Sequence, residues 1–276
     1  MYKDLSGKTA LITGSGKKSG IGYAIAERLA SCGSNIIIAD LGDLAKTQGE
    51  VKTGTENEMS DIASELKKRF SIDTLAVDVD VTNGETILAM AEAVKIKFGK
   101  VDVLINNAGA SFGVPNSFLY YDEAAWMKTI DVNLHGSFRV SRAIIPMMPP
   151  GSSIINVSSR AGKVPPLFNG AYGVAKSGLI MQTKIMAKEL APNIRVNAIA
   201  PGQIGTDLEH WRFELEAKFF GSTVEDRRQE MIKTIPMARI GDPADVSNLA
   251  AFLASNESSY MTGQAINITG GQLMEL

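Results

Sequence analysis

The chain has 276 residues, 45% of them hydrophobic, which is enough to bury the core of one α/β domain. Its formal net charge is −2, from 28 basic and 30 acidic residues, which excludes the strongly basic surface of a nucleic-acid or anionic-membrane binder. A single cysteine, Cys32, rules out an internal disulfide and reads as a buried thiol at the end of an apolar-periodic helix.

No charged-then-apolar signal segment precedes the first strand-like run, and no apolar stretch reaches bilayer length, so a cytoplasmic protein is expected. Short β-branched runs predict strands at 9–13, 35–40, 74–79, 101–106, 153–158, 194–199 and 264–268. Between the third and fourth, Ile87, Met90, Ala91, Val94 and Phe98 share one helix face, and Thr82 with Glu85 predicts a capping box at its start. Near the C-terminus, Asp242-Pro243 predicts an N-cap and a first-turn proline ahead of Val246, Leu249, Ala250 and Leu253. Strands separated by helices require crossovers. The expected fold class is therefore α/β, a Rossmann-like doubly wound parallel sheet forming a single domain over 1–276.

Two segments depart from that rhythm. The stretch 41–58 is polar, delays the helix after the second strand, and reads as a surface insertion. The stretch 206–239 carries His210, Trp211, Phe213, Phe219 and Phe220, and reads as a lid within a substrate-covering loop at about 203–240.

The chemistry begins at Thr13-Gly14-Ser15-Gly16-Lys17-Lys18-Ser19-Gly20-Ile21-Gly22, between the first strand and a helix with Ile21, Ala24, Ile25 and Leu29 on one side. Glycines there let the backbone approach a pyrophosphate at the helix N-terminus, although such turns also occur with no ligand. Asp40 closes the second strand, where a carboxylate accepts the ribose hydroxyls of NAD and repels a 2′-phosphate; a plain turn residue is the alternative. Lys17 and Lys18 pull toward NADP, but exposed lysines swing to solvent, so NAD is the expected cofactor. Tyr172 and Lys176 lie one helical turn apart, on the same face. A phenol titrates near pH 10, so its use as a base near pH 7 needs roughly 4 kcal/mol of phenolate stabilisation. Tyr-x-x-x-Lys pairs are common on solvated helices. This one gains weight by following Ile154-Ile155-Asn156-Val157-Ser158-Ser159.

With these residues in this order, the chain resembles the short-chain dehydrogenase/reductase family over 5–271. Gly14, Ser19, Gly20, Ile21 and Gly22 match its cofactor fingerprint, and Asp80-Val81-Thr82 its adenine-binding segment. Asn106-Asn107-Ala108-Gly109 matches the turn after the fourth strand, and Asp131-Val132-Asn133-Leu134 the helix bearing an asparagine of the catalytic set. Ser159 has the family's spacing to Tyr172, and Pro201, Gly202, Ile204 and Thr206 resemble the segment that closes over the nicotinamide amide.

The resemblance implies that Tyr172 exchanges a proton with the substrate oxygen while hydride passes to or from nicotinamide C4. It implies that Lys176 holds the nicotinamide ribose and lowers the Tyr172 pKa. Ser159 would bond the carbonyl oxygen, and Asn133 would hold a water linking Lys176 to solvent. Ser158 reads as a structural hydroxyl, His135 and His210 as structural or solvated, and no metal is expected.

Five residues separate Gly14 from Gly20, where the family's usual loop has three. That length resembles the enoyl reductase branch, which spaces its tyrosine and lysine more widely than Tyr172 and Lys176. The longer loop leaves open which of Ser15, Gly16 and Lys17 touches phosphate. Thr269 stands where an acidic residue often precedes the final glycines.

Candidate pocket walls are Phe112, Val114, Leu167 and Phe168, with Ser111, Asn169 and Gln203 adding polarity; Arg160 and Lys163 could select an anion, but read as solvent-facing. This lining suits a free secondary alcohol or polyol and its ketone. The main alternative is reduction of a 3-oxoacyl thioester on a carrier protein. The stretch 144–151 lacks the basic residues such a carrier needs, while Lys184 and Lys188 keep that alternative open. A catalytically silent dinucleotide-binding regulator is the third reading, disfavoured by the presence of all four catalytic positions. Leu179, Ile180, Met181, Ile185, Met186 and Leu190 spread apolar groups around one helix more widely than a sheet contact needs. A homotetramer is expected, acting on a small molecule without nucleic acid or membrane.

Overall fold

Every β-branched run becomes a strand in the computed structural model, which describes residues 2–44 and 53–275. In chain order the main elements are β1 (Thr9–Thr13), α1 (Ile21–Ala30), β2 (Asn35–Asp40), α2 (Glu56–Phe70), β3 (Thr74–Asp78), α3 (Gly84–Phe98), β4 (Val103–Asn106) and α4 (Glu123–Ile130). They continue with α5 (Gly136–Ile144), β5 (Ser152–Val157), α6 (Gly170–Leu190), β6 (Ile194–Pro201), α7 (Asp207–Phe220), α8 (Val224–Lys233), α9 (Pro243–Ala254) and β7 (Ala265–Ile268).

All strand pairs are parallel, in the order β3-β2-β1-β4-β5-β6-β7. The chain winds outward from β1 to β3, then crosses back to set β4 beside β1. That switch opens a crevice beyond the carboxyl ends of β1 and β4, where ligands of doubly wound sheets bind.

Successive strand side chains point to opposite faces, so one strand feeds two cores. Ile12, Ile36 and Ile38 pack with Ile25 and Leu29 of α1, Met59 and Leu66 of α2, and Val246 and Leu253 of α9. Leu11 and Ile37 face the other way, onto Met90 and Val94 of α3 and Val140 and Ile144 of α5. Full burial of each such side chain contributes about 1.5–3 kcal/mol. The strands are buried on both faces because helices cover both.

Several local expectations need correction. α3 is capped by Asn83, whose side chain accepts from Glu85 N, and not by Thr82. Thr82 instead turns its N–H and hydroxyl onto Asp80 Oδ1, at 2.8 and 2.6 Å, so a nearer carboxylate won the contact. The polar stretch after β2 ends sooner than its composition suggests, because Thr55 and Glu58 form a capping box that starts α2 at Glu56. Its middle, 45–52, lies outside the described residues. The excursion after β6, read as a lid, is built of two helices, α7 and α8. Its neck is pinched where Gly205 N donates to Gly241 O and Gly241 N to Gln203 O, at 2.8 and 2.9 Å. Asp242 caps α9 as expected, reciprocally with Asp245. Cys32 is a buried free thiol. Among the described residues, no helix is long and apolar enough to cross a membrane.

Candidate active site

The glycine-rich loop spends its first residues on its own fold. Ser15 Oγ donates to Ile12 O at 2.7 Å, Gly16 N donates to Asp40 Oδ2 at 2.8 Å, and Lys17 Nζ pairs with Asp207 Oδ2 at 3.1 Å. None of the three residues left open by the loop's length is uncommitted. α1 then begins behind Gly20 with no side chain capping it, so its first-turn N–H groups suit an anion. Gly22 has no substitute: a Cβ there would lie 2.3 Å from Gly14 O.

Asp40 also accepts from Leu41 N, through Oδ1 at 2.8 Å. Burial raises its pKa, against the lowering effect of the Gly16 and Leu41 N–H groups. Each oxygen retains a lone pair able to accept a ribose hydroxyl. Within the insertion, Gly54 abuts the same loop, and a Cβ on it would sit 2.4 Å from Gly16 O. The far end of the insertion is thus built onto the loop and does not stand off from the surface.

The turn after β4 braces this arrangement. Asn107 Nδ2 donates to Thr13 O and Gly14 O, each at 2.9 Å, while Asn107 N and Ala108 N donate to Thr13 Oγ1 at 3.1 Å. Val81 is buried nearby, on the side of the sheet that carries α3. Gly202 N, after Pro201, donates to Ile268 O, Ile204 is buried at the neck, and Thr206 caps α7 by accepting from Glu209 N. Ser19 Oγ donates to Asp207 Oδ2 at 2.7 Å, so the glycine loop and the start of α7 are tied together. These features fit a dinucleotide: uncapped helix donors for pyrophosphate, and a carboxylate at the end of β2 for ribose.

Four side chains converge beyond β4 and β5. Tyr172 is half-buried in the first turn of α6, and Lys176 is buried with Nζ 5.4 Å from the centre of the tyrosine ring. Lys176 Nζ donates to Val157 O at 2.9 Å, and Ser158 Oγ donates to Lys176 O at 2.9 Å, the structural part expected of that hydroxyl. Ser159 accepts from Ala161 N and hydrogen-bonds Tyr172. Asn133 stands in a π-helical turn, Asp131–His135, between α4 and α5. Its Nδ2 donates to Thr129 O at 2.8 Å and to Ala110 O, and its Oδ1 is buried without a partner. A Cβ on Gly109 would lie 2.7 Å from that Oδ1 and 3.3 Å from Lys176 Nζ, so both atoms border one point beside Gly109. Such wide turns recur at functional sites because they re-aim one side chain.

Burial pushes the Tyr172 phenol up to about 12, with Ser159 lowering it, Glu209 raising it and Arg212 lowering it. Burial alone pulls the Lys176 ammonium down to about 8. At pH 7 the pair is phenol plus ammonium, an arrangement that can donate a proton.

Glu209 and Arg212 escaped the sequence reading, which noted only the aromatic and histidine residues of that segment. Their Glu-x-x-Arg spacing was visible, but it is ordinary on solvated helix faces. Here Glu209 is nearly buried, and Arg212 binds it at 3.0 Å and Gln203 Oε1 at 2.6 Å. Burial pushes the Glu209 carboxyl up to about 7, against the pull of Arg212, with Glu216 raising it further.

His135 and His210 lie outside the cluster, exposed and paired with Asp131 and Glu214. Among the candidate walls, Asn169 Nδ2 reaches Ser111 Oγ and Phe168 packs at a tilt against Phe219 with ring centres 5.6 Å apart, while Leu167 is largely exposed. Lys163 does not face solvent as expected: its Nζ donates to Ala265 O at 2.7 Å and pairs with Glu275.

A family profile described as enoyl-(acyl carrier protein) reductase matches residues 14–272. Glucose 1-dehydrogenase 2 of Bacillus subtilis is 34% identical over 99% of this chain and 98% of its own. A 3-oxoacyl-[acyl-carrier-protein] reductase of Staphylococcus epidermidis is 33% identical over 97% and 99%. L-sorbose reductase of Gluconobacter frateurii, solved with NADPH and L-sorbose, superposes with a TM-score of 0.86 at 31% identity, covering all of both chains.

Proposed function

Because the chain belongs to the short-chain dehydrogenase/reductase family, we propose that this oxidoreductase interconverts a free secondary alcohol or polyol and its ketone with NAD(H). The observation that carries the substrate class is the charged wall beside Tyr172. Glu209, Arg212 and the buried Gln203 offer donors and acceptors to a hydroxylated substrate. An acyl chain there would bury these groups against methylenes and leave them poorly solvated. Polyhydroxylated substrates also occupy relatives, since a glucose dehydrogenase and a sorbose reductase are among them. The thioester alternative keeps support from the 3-oxoacyl carrier-protein reductase relative.

A nicotinamide bound there would supply or accept the hydride. In reduction, the Tyr172 hydroxyl gives its proton to the carbonyl oxygen, which Ser159 Oγ also holds. In oxidation, Tyr172 takes the alcohol proton. Lys176 would hold the nicotinamide ribose, and the unpartnered Asn133 Oδ1 would accept from a water that returns protons toward Lys176. The Gly14–Gly22 loop, Asp80, Val81, Asn107, Ala108, Gly109, Pro201, Gly202, Ile204 and Thr206 frame the dinucleotide. Asp40 favours NAD, because a 2′-phosphate would meet a carboxylate already fixed by Gly16 N and Leu41 N. The working assembly is a homotetramer.

The test is turnover of a panel of polyols, simple secondary alcohols and 3-oxoacyl thioesters with NAD and with NADP, repeated with Tyr172→Phe. Polyols with NAD should give the highest kcat/KM. The variant should lose about 10³-fold or more in turnover while dinucleotide affinity stays within about tenfold. Thioester-only activity, a preference for NADP, or an active Tyr172→Phe enzyme would each contradict the corresponding part.

A further inference from the structure

Arg160 follows Ser159 directly, on the short turn Arg160–Gly162. Ser159 Oγ caps that turn by accepting from Ala161 N, and Arg160 O accepts from Lys163 N and Val164 N, each at 2.9 Å. The backbone under Arg160 is therefore fixed by the same hydroxyl that bonds Tyr172. Its side chain is half-buried, yet among the described residues it makes no hydrogen bond or ion pair.

The surrounding charges explain why it is uncommitted. Glu209, the carboxylate whose charge acts on Arg160, is bound by Arg212 at 3.0 Å, and Arg212 also engages Gln203 and Glu216. Arg212 is thus committed to Glu209, Gln203 and Glu216, which leaves Arg160 without an ion-pair partner of its own among the described residues. The nearby Lys163 ammonium is spent on Ala265 O and Glu275. A partly desolvated guanidinium with its planar fork free is the protein group best matched to an oxyanion, which it takes through two parallel N–H bonds.

We propose that Arg160 is a specificity-determining residue that receives an oxyanion of the substrate, a carboxylate or a phosphate monoester carried on the alcohol chain. This rests on the alcohol–ketone reading and narrows it: the preferred substrate is an anionic polyol or hydroxy acid, not a neutral one. Such a substrate brings its charge to the guanidinium and its hydroxyls to Glu209 and Gln203.

Three six-carbon chains that differ at one end provide the test: glucitol, gluconate and glucitol 6-phosphate, each assayed for kcat/KM with NAD and with NADP. At least one anionic member should exceed glucitol by tenfold or more, and which one it is separates carboxylate from phosphate recognition. Arg160→Gln should cut that anionic-to-neutral ratio by at least tenfold, mainly through KM. Arg160→Lys keeps the charge but loses the fork, so it should retain part of the preference; it also carries the test if the glutamine variant fails to fold. Equal or better turnover of glucitol by the wild-type enzyme overturns the proposal while leaving the alcohol reading intact. Turnover confined to 3-oxoacyl thioesters would overturn the alcohol reading itself.

Discussion

Glu209 places a carboxylate beside Tyr172, which under the proposed mechanism bears negative charge during oxidation. Burial is the main cause of the raised Tyr172 pKa; Ser159 and Arg212 lower it and Glu209 raises it further, so each of these neighbours would tune the proposed proton transfer. The sign of a substitution follows directly. Alcohol oxidation needs the phenolate, so its rate rises with pH as Tyr172 deprotonates. Glu209→Gln removes a negative neighbour, makes the phenolate easier to form, and should move that rising limb to lower pH. The movement should be on the order of one unit at most. Log kcat/KM for oxidation, measured against pH in both enzymes, checks this. A limb that stays put or moves upward would show that Glu209 does not act on Tyr172.

At the scale of elements, the contact between the glycine loop and α7 joins parts far apart in the chain. Asp207 Oδ2 takes both Ser19 Oγ and Lys17 Nζ, at 2.7 and 3.1 Å, and its carboxyl is held below its ordinary range by those bonds, Ser19 first. The start of α7 therefore rests on residues that border the uncapped N–H groups at the start of α1. Partly exposed ion pairs of this kind contribute about 0–1 kcal/mol, so the tie positions the helix pair without locking it. Asp207→Ala should raise hydrogen exchange across α7 and α8 by roughly up to fivefold, leaving β1 to β6 protected. An exchange pattern identical to wild type would mean the neck at Gly205 and Gly241 holds these helices alone.

At the scale of the molecule, apolar side chains remain outside both cores. Val174, Met181 and Ile185 on α6 and Phe138 on α5 are each at least half exposed, along helices whose other faces are buried. The surplus read from the sequence of α6 is thus partly a real surface. Leu179 belongs to the interior, whereas Met181 and Ile185 do not. Large exposed apolar patches mark association sites. Light scattering on the purified protein should give four chain masses at micromolar concentration, and Met181→Glu with Ile185→Glu should lower that mass. A monomeric wild-type protein would refute the tetramer.

Strand positions and the parallel fold were legible in the chain because β-branched runs bounded by turns, separated by amphipathic helices, admit few other architectures. The grouping of Asn133, Ser159, Tyr172 and Lys176 was legible as motif order. What the sequence left undecided depends on approach in space. Thr82 or Asn83 as the cap of α3 was settled by the reach of Asp80, and the order of the 206–239 segment by two capped helices. Likewise Lys163 and Arg160, three residues apart, look alike on paper. Tertiary packing brings Lys163 a carbonyl on β7 and a carboxylate near the C-terminus, while it leaves Arg160 facing an already engaged Glu209. Periodicity records which face an element buries, but a side chain's partners come from distant segments, and only the folded chain brings those together.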